Sequence, residues 1–463
     1  MGQELGVLGV QMGTHKRVGR AMPIAHVAVA ACISLILGES ALGAGFALRE
    51  YSLSAEGSAF AGAAALSDEP GGLSYNPATG SGVGTWDMSM TACFIDPDTT
   101  GTFSTATTSF GGPTGGDAEV REIMDALEPG MQLRYRLAEQ WTAGLSVTAP
   151  FGLGTKYDND WAGRYYALES KLITVNAAPS IAYQVAPELT LSAGVQVEYA
   201  TGTLSNAIDF GTIGAANLVP GSVPGTQDGR VEYTPSGWAF GYVVGALWQP
   251  SPEVRVGASY RSELKHDVEG SVDFKLDTAG IGAILSGVSG AFVDAQGRST
   301  ITLPAVAALG AAYDVSPKLT LMAEFDYTWW SSFEELRVKF DNPFQADVYQ
   351  TYNYKNTCFG SVGLRYRPSD DWVLRAGVAF DQSPTRDATR DPRIPDNDRK
   401  WIALSAGYWI TENTAVEAGY SRLMFPDGRI NLYASTPGNE VRGNLIGITR
   451  ANSDVFSLQL TFR

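Results

Sequence analysis

His266, between Lys265 and Asp267, is the only histidine of this 463-residue chain beyond residue 43. A histidine beside an aspartate could act as a general base, and an outer-membrane lipase is one reading of it. That chemistry needs a serine on a sharp strand-to-helix turn, and no such elbow motif stands in the sequence. Cys93 and Cys358 lie in distant segments, which argues against a disulfide even in an oxidising compartment, and no His/Cys cluster is spaced to hold a metal. No cofactor is expected, and no phosphate-cradling loop for ATP is present. The net charge of −16, without a basic patch, speaks against nucleic acid. What remains in regular pattern are apolar side chains alternating with polar ones.

The elements that would position them are strands. From Leu319 to Trp329, Leu319, Leu321, Ala323, Phe325, Tyr327 and Trp329 fall on one side and Thr320, Met322, Glu324, Asp326 and Thr328 on the other. The chain ends on a similar strand, where Phe456, Leu458, Leu460 and Phe462 alternate with Ser457, Gln459 and Thr461. Polar residues on what should be the inner face, and an aromatic at the end of the last strand, read as a transmembrane β-barrel. Mean hydropathy near zero excludes a bundle of membrane helices. The longest apolar run, Ile24 to Leu37, is too short to span a bilayer. It follows Lys16, Arg17 and Arg20 and precedes Ala41-Leu42-Gly43, the pattern of a secretory signal cleaved after Gly43. Cys32 within Val29-Ala30-Ala31-Cys32 loosely resembles a lipoprotein box, but the apolar run continues past it. Removing Lys16, Arg17, Arg20, Glu4 and Glu39 changes the net charge to about −17.

Six tight polar turns, at residues 138–140, 186–188, 251–253, 316–318, 368–371 and 411–413, join strand pairs. With an opening strand near Trp86–Ile95 and a closing one near Val455–Phe462 they make fourteen. An even count with short turns on one side and long connections on the other, such as 203–236 and 274–300, fits a bacterial outer-membrane barrel. Trp141, Trp248, Trp329, Trp330, Trp372, Trp401 and Trp409 near strand ends fit aromatic girdles. The organisation expected is a signal peptide over 1–43, a Gly- and Ala-rich leader over 44–84 and the barrel over 85–463. Phe46, Leu48, Leu53, Phe60 and Leu66 would be wasted in solvent, so the leader is expected to plug the lumen rather than trail as a tail.

Several segments, in this order, resemble the FadL family of outer-membrane transporters for long-chain fatty acids and other hydrophobic compounds. They are Ala44-Gly45-Phe46-Ala47-Leu48, Ala59-Phe60-Ala61-Gly62, Asn76-Pro77-Ala78, Pro150 through Thr155, Trp161 through Tyr165, and Tyr260 through Glu263. Ala379-Phe380-Asp381 with Ser383-Pro384 and Ile394-Pro395-Asp396 with Asp398-Arg399 complete the set. The resemblance implies an all-β, 14-stranded antiparallel transmembrane barrel with an N-terminal hatch in its lumen. It also implies passive uptake, in which loops capture a fatty acid or similar hydrophobic molecule and an inward kink of the third strand lets it leave sideways. Uptake of aromatic hydrocarbons is the alternative, and a general porin a weaker one. The implied setting is the outer membrane with its lipid and lipopolysaccharide, and a monomer.

By resemblance, Phe46 reaches towards the pocket, and Asn76, Pro77 and Ala78 form the hatch motif facing the kinked strand; a plain turn at Asn76-Pro77 is the other reading. Ala149, Pro150, Phe151 and Gly152 would be the kink, since proline removes a ladder donor; Pro150 could equally just end the strand. Ile208, Phe210, Ile213 and Leu218 in one long loop, and Ile281, Ile284, Leu285 and Val288 in the next, would line the outer groove. The spacing 281, 284, 285, 288 predicts a helix with one apolar stripe, which could instead pack onto the barrel. Arg337 aligns with a basic family position and would contact a carboxylate. Asn206 and Asn356 depart from charged family positions, which leaves carboxylate recognition open.

Overall fold

The computed structural model describes residues 44–80, 84–122 and 124–463. The signal peptide expected over 1–43 lies outside them. Fourteen antiparallel wall strands follow in chain order: β1 (Trp86–Thr107), β2 (Glu119–Glu122 and Ala126–Ala138), β3 (Trp141–Thr148 and Gly152–Lys156), β4 (Glu169–Ala186), β5 (Leu189–Asp209), β6 (Asp228–Ser251) and β7 (Val254–Arg261 and Leu264–Lys275). Then come β8 (Ala295–Leu303 and Val306–Ser316), β9 (Leu319–Thr328 and Glu335–Phe340), β10 (Val348–Thr351 and Thr357–Tyr366), β11 (Trp372–Asp381), β12 (Arg399–Thr411), β13 (Thr414–Met424 and Gly428–Leu432) and β14 (Asn444–Phe462). Each pairs with the next, and β14 closes on β1 from Met88↔Phe462 to Thr107↔Asn444. All six expected turns join the strands they were expected to join.

Alternation sets the faces. Along β9, Leu321 and Phe325 are exposed outward while Glu324 and Asp326 are buried inside. The first and last strands run well beyond their expected ends, to Thr107 and back to Asn444, and β5 and β6 absorb much of the long connection between them. These extensions carry polar runs such as Asp96 to Thr102, so they lack the apolar-out pattern by which a lipid-facing strand is recognised. Trp141, Trp248 and Trp372 lie on the outside as a girdle requires. Trp330 and Trp401 do not; both are turned inward and buried.

Almost every described residue from Ala44 to Gly80 is buried within the barrel. The leader forms one short helix, α1 (Leu53–Glu56), and three 3₁₀ turns. Charged groups fasten it to the wall. Asp68 pairs with Arg365 at 2.7 Å, Glu69 with Arg375 at 2.5 Å, and Arg49 with Asp326 at 2.8 Å. Glu56 accepts from Ser421 at 2.8 Å and Ser457 at 2.6 Å, and Gln459 accepts from the backbone of Leu53. Glycines on the inner wall allow this contact. A Cβ on Gly257 would lie 1.8 Å from the Ala64 carbonyl oxygen, and one on Gly377 1.9 Å from that of Ser58. Side-chain-free wall is needed wherever another backbone approaches this closely.

Gly377→Val should therefore dislodge the leader without opening the barrel. Limited proteolysis should cut within 44–80 in the variant only, while resistance to unfolding in cold detergent persists; equal protection of the leader would refute the fit.

Candidate functional site

The wall is not continuous at β3. On its β4 side the register runs Thr148↔Asn176 and then Gly152↔Ile173, so four steps on β3 oppose three on β4. The extra residue is a bulge at Ala149–Phe151, pinned by Thr174, whose hydroxyl lies 3.0 Å from the Phe151 nitrogen. On its β2 side, pairing stops at Met131↔Val147. Extending that register would set Pro129 of β2 opposite Ala149, one step from Pro150. Neither proline can donate to a ladder, so the seam cannot zip past this point.

The leader takes the place of β2. The Leu48 nitrogen donates to the Pro150 oxygen and the Gly152 nitrogen to the Phe46 oxygen, both at 2.9 Å, and Ala47 bridges Phe151. Phe46 is thereby driven into an aromatic chamber. Its ring centroid lies 4.9 Å from Trp330, 5.3 Å from Phe333 and 6.0 Å from Phe151, and Tyr352, Tyr354 and Leu153 belong to the same cluster. Residues 382–398, between β11 and β12, fold inward over it, held by Tyr157 hydroxyl to Pro392 oxygen at 2.7 Å and Thr155 hydroxyl to Arg393 oxygen at 3.2 Å. Apolar cavities of about 60 and 70 Å³ remain, sharing Leu204, Leu336, Tyr352 and Arg393 in their walls. Ligand pockets span roughly 300–1,000 Å³, so this is a chamber closed around Phe46.

Two buried guanidinium groups face this apolar space. Arg393 donates to Asn206 at 3.1 Å and lies 3.9 Å from Asp391; Arg442 donates to Gln350 at 2.5 Å. Burial and the nearby Arg393 push the Arg442 guanidinium down from its ordinary value, and burial pushes Asp391 up against the pull of Arg393. Both directions report a desolvated patch, and that of Arg442 also reports the second positive charge beside it.

The family model for outer membrane protein transport proteins (OMPP1/FadL/TodX) matches residues 34–463. The chain belongs to this family. It is 29% identical over 409 residues to the long-chain fatty acid transport protein of Escherichia coli O6:H1, covering 85% of this chain and 90% of that one. A crystal structure of a Pseudomonas aeruginosa FadL homologue superposes with a TM-score of 0.84 at 26% identity, covering 90% of this chain and 99% of the other. The CymD monoaromatic hydrocarbon channel shares the fold, with a TM-score of 0.64 at 18% identity over 91% and 98% of the two chains. This is an outer-membrane, multi-pass transport barrel.

Within this FadL-family chain some expected site residues come together and others do not. Phe46, Pro150, Phe151 and Gly152 meet at the break. Asn76 does not face it: its amide donates to the oxygens of Ala64 at 2.8 Å and Ala246 of β6 at 3.0 Å, while its own oxygen accepts from Ala78. The turn Pro77–Gly80 packs against β3 to β7. Arg337 is not a chamber residue. Leu336 and Val338 line the cavity, so strand period sends Arg337 to the other face, where it pairs with Glu335 at 2.8 Å and Asp347 at 3.6 Å. Arg393 and Arg442 hold the inward positions; Ile394-Pro395-Asp396 flagged this loop in the sequence, but nothing local said that it folds into the lumen. The expected loop helix is present as α3 (Ile281–Ser289), packed on α2 (Phe210–Ala216). Phe210, Ile281 and Leu285 are buried between them with Ile208 and Ile213 alongside, whereas Leu218, Ile284 and Val288 stand exposed.

Buried carboxyls of the leader and of the inward loop make a pH dependence of docking the expected behaviour. Burial raises Glu56 from 4.5 to about 7, against the hydroxyls of Ser457 and Ser421, and also raises Glu50. Burial likewise brings Asp396, which accepts from the Gly45 nitrogen at 2.7 Å, up to about 6. Asp68 and Glu69 behave oppositely: burial would raise them, but Arg365 and Arg375 hold them down. A released leader loses the Glu56 proton near 4.5 and a docked one only near 7, so docking weakens as pH rises between these values. Hydrogen exchange of residues 44–60 should accelerate from pH 5 to pH 7.5 after correction for intrinsic rates, and Glu56→Gln should flatten that dependence. An unchanged profile in Glu56→Gln would reject the assignment.

Proposed function

We propose that this barrel takes up long-chain fatty acids passively, and the observation that carries the reading is an apolar chamber with Arg393 and Arg442 at its wall. An acyl chain gains roughly 0.8 kcal/mol per methylene buried, so tight binding needs no chemistry. A carboxylate then needs a desolvated cation, and charge-assisted hydrogen bonds to guanidinium meet that need. The name of the Escherichia coli relative agrees with this cargo.

The geometry supports a sequence of steps. Exposed Leu218, Ile284 and Val288 at the outer loops offer an apolar landing patch. Passage inward requires Phe46 to leave the chamber, since the present space is too small for a long chain. Withdrawing Phe46 also withdraws the arm from Pro150 and Gly152, because the two are one backbone. Filling the chamber and freeing the seam between β2 and β3 are thereby a single movement, and the acyl chain leaves sideways into lipid. Asn76, Pro77 and Ala78 anchor the part of the leader that stays. Aromatic hydrocarbons are the second reading, favoured by the rings of Phe46, Trp330, Phe333, Tyr352 and Tyr354.

Arg393→Ala should weaken oleate binding by about 10- to 100-fold, the worth of a charged hydrogen bond, and leave toluene binding unchanged. Toluene binding without oleate binding in the parent protein would favour the second reading. Restoring both seam donors with Pro129→Val and Pro150→Val should slow oleate uptake by cells while barrel folding and oleate affinity persist. Undiminished uptake would count against lateral exit.

A further inference from the structure

A polar trio flanks the chamber without a role in the reading above. Glu198 of β5, His266 of β7 and Asn176 of β4 are each wholly buried. Glu198 lies 3.0 Å from His266 Nε2 and accepts from Asn176 Nδ2 at 2.9 Å. A carboxylate only accepts, so Nε2 carries a proton and the Asn176 amide nitrogen faces Glu198; in the neutral imidazole Nδ1 is then an acceptor. Two acceptors are left over. Among the described residues neither His266 Nδ1 nor Asn176 Oδ1 has a hydrogen-bond partner.

Strand geometry puts the trio beside the cargo. Side chains two apart share a face and stand about 7 Å apart. Val268, two past His266, and Ala200, two past Glu198, both line the apolar cavity. Leu264, two before His266, and Ala239, the cross-strand partner of Glu198, both pack in the cluster that holds Phe46. The trio therefore flanks the chamber at the level of the β3 break, where Asn176 pairs with Thr148. An unmet buried polar atom is costly, and here two of them fall in one trio beside an apolar cavity. Two bare acceptors call for a donor from the cargo, and a bare hydrocarbon chain has none.

We propose that Asn176 Oδ1 and His266 Nδ1 receive a hydroxyl group carried on the acyl chain, so that the preferred cargo is a hydroxylated long-chain carboxylate. This rests on the fatty-acid reading. The carboxylate is held at Arg393 and Arg442, and the alcohol proton is donated to one of the two acceptors. A site built around hydrogen bonding discriminates strongly against an analogue that lacks the group.

The test is binding of octadecanoate and of hydroxyoctadecanoates substituted at C3, C10 or C12 to the purified full-length barrel, read by tryptophan fluorescence and by competition with labelled oleate. At least one hydroxy acid should bind about tenfold more tightly than octadecanoate. His266→Phe and Asn176→Leu, each checked for a folded barrel, should reduce that preference while octadecanoate affinity is kept. Equal binding of all four acids by the parent, as expected if water satisfies the trio, overturns the proposal and leaves the fatty-acid reading standing. A preference that survives both substitutions overturns it too. Failure of the parent to bind any of the acids removes the fatty-acid reading itself, and this proposal with it.

Discussion

A barrel in lipid has no water to satisfy its backbone, so every N–H and C=O of the wall must find a partner. This constraint governs the rest of the molecule. It demands closure, met by the long β1–β14 ladder. It also makes any interruption of the wall costly. The break at β3 is tolerated because Phe46 and Leu48 supply the backbone partners that β2 withholds. The leader arm is a removable piece of the wall as well as filling for the lumen.

The interior adds a second layer of control. The barrel is polar inside, and the leader brings carboxylates of its own, so docking depends on how the charges meet. At one end Asp68 and Glu69 lie against Arg365 and Arg375, a tight clamp. At the other, Glu56 is held by hydroxyls, and Asp396 holds the Gly45 nitrogen beside the Ser383 hydroxyl, both in settings that favour the neutral acid. Breaking a buried ion pair costs several kcal/mol, whereas residues 45–48 of the arm are held by two backbone bonds to β3, the Gly45–Asp396 bond and ring contacts, and the arm's first ion pair comes at Arg49. The leader is thus bolted at its far end and releasable at its N-terminus, where the chamber and the seam lie.

The chamber shows why an enclosed site draws on residues far apart in sequence. Phe46 comes from the leader, Phe151 from the broken strand, Trp330 and Phe333 from the irregular stretch within β9, and Arg393 from the inward loop between β11 and β12. Each is placed by an irregularity: a bulge, a 3₁₀ turn or a folded-in connection. Regular strands supply the frame and its faces, and the departures from regularity supply the site.

Period-two alternation and turn residues were enough to read the barrel, its fourteen strands and its turns from the sequence, because lipid imposes one simple rule on every outward position. The apolar residues of the leader pointed to a place inside the wall, and Pro150 marked the strand that breaks. Arg337 shows where such reading stops. Its position beside Leu336 looked suitable, but a one-residue step along a strand reverses the face, and the face of that short upper segment is set by its neighbours. Arg393 and Arg442 reach the chamber only because their loops fold inward. Pro129 matters only because register sets it across the seam from Pro150, and Asn176, Glu198 and His266 meet only through the order of β4 to β7. The sequence by itself determined which faces the strands show to lipid and lumen, since that depends on local period alone. The tertiary structure decided which polar groups meet inside, since that depends on register, closure and the path of irregular segments between distant strands.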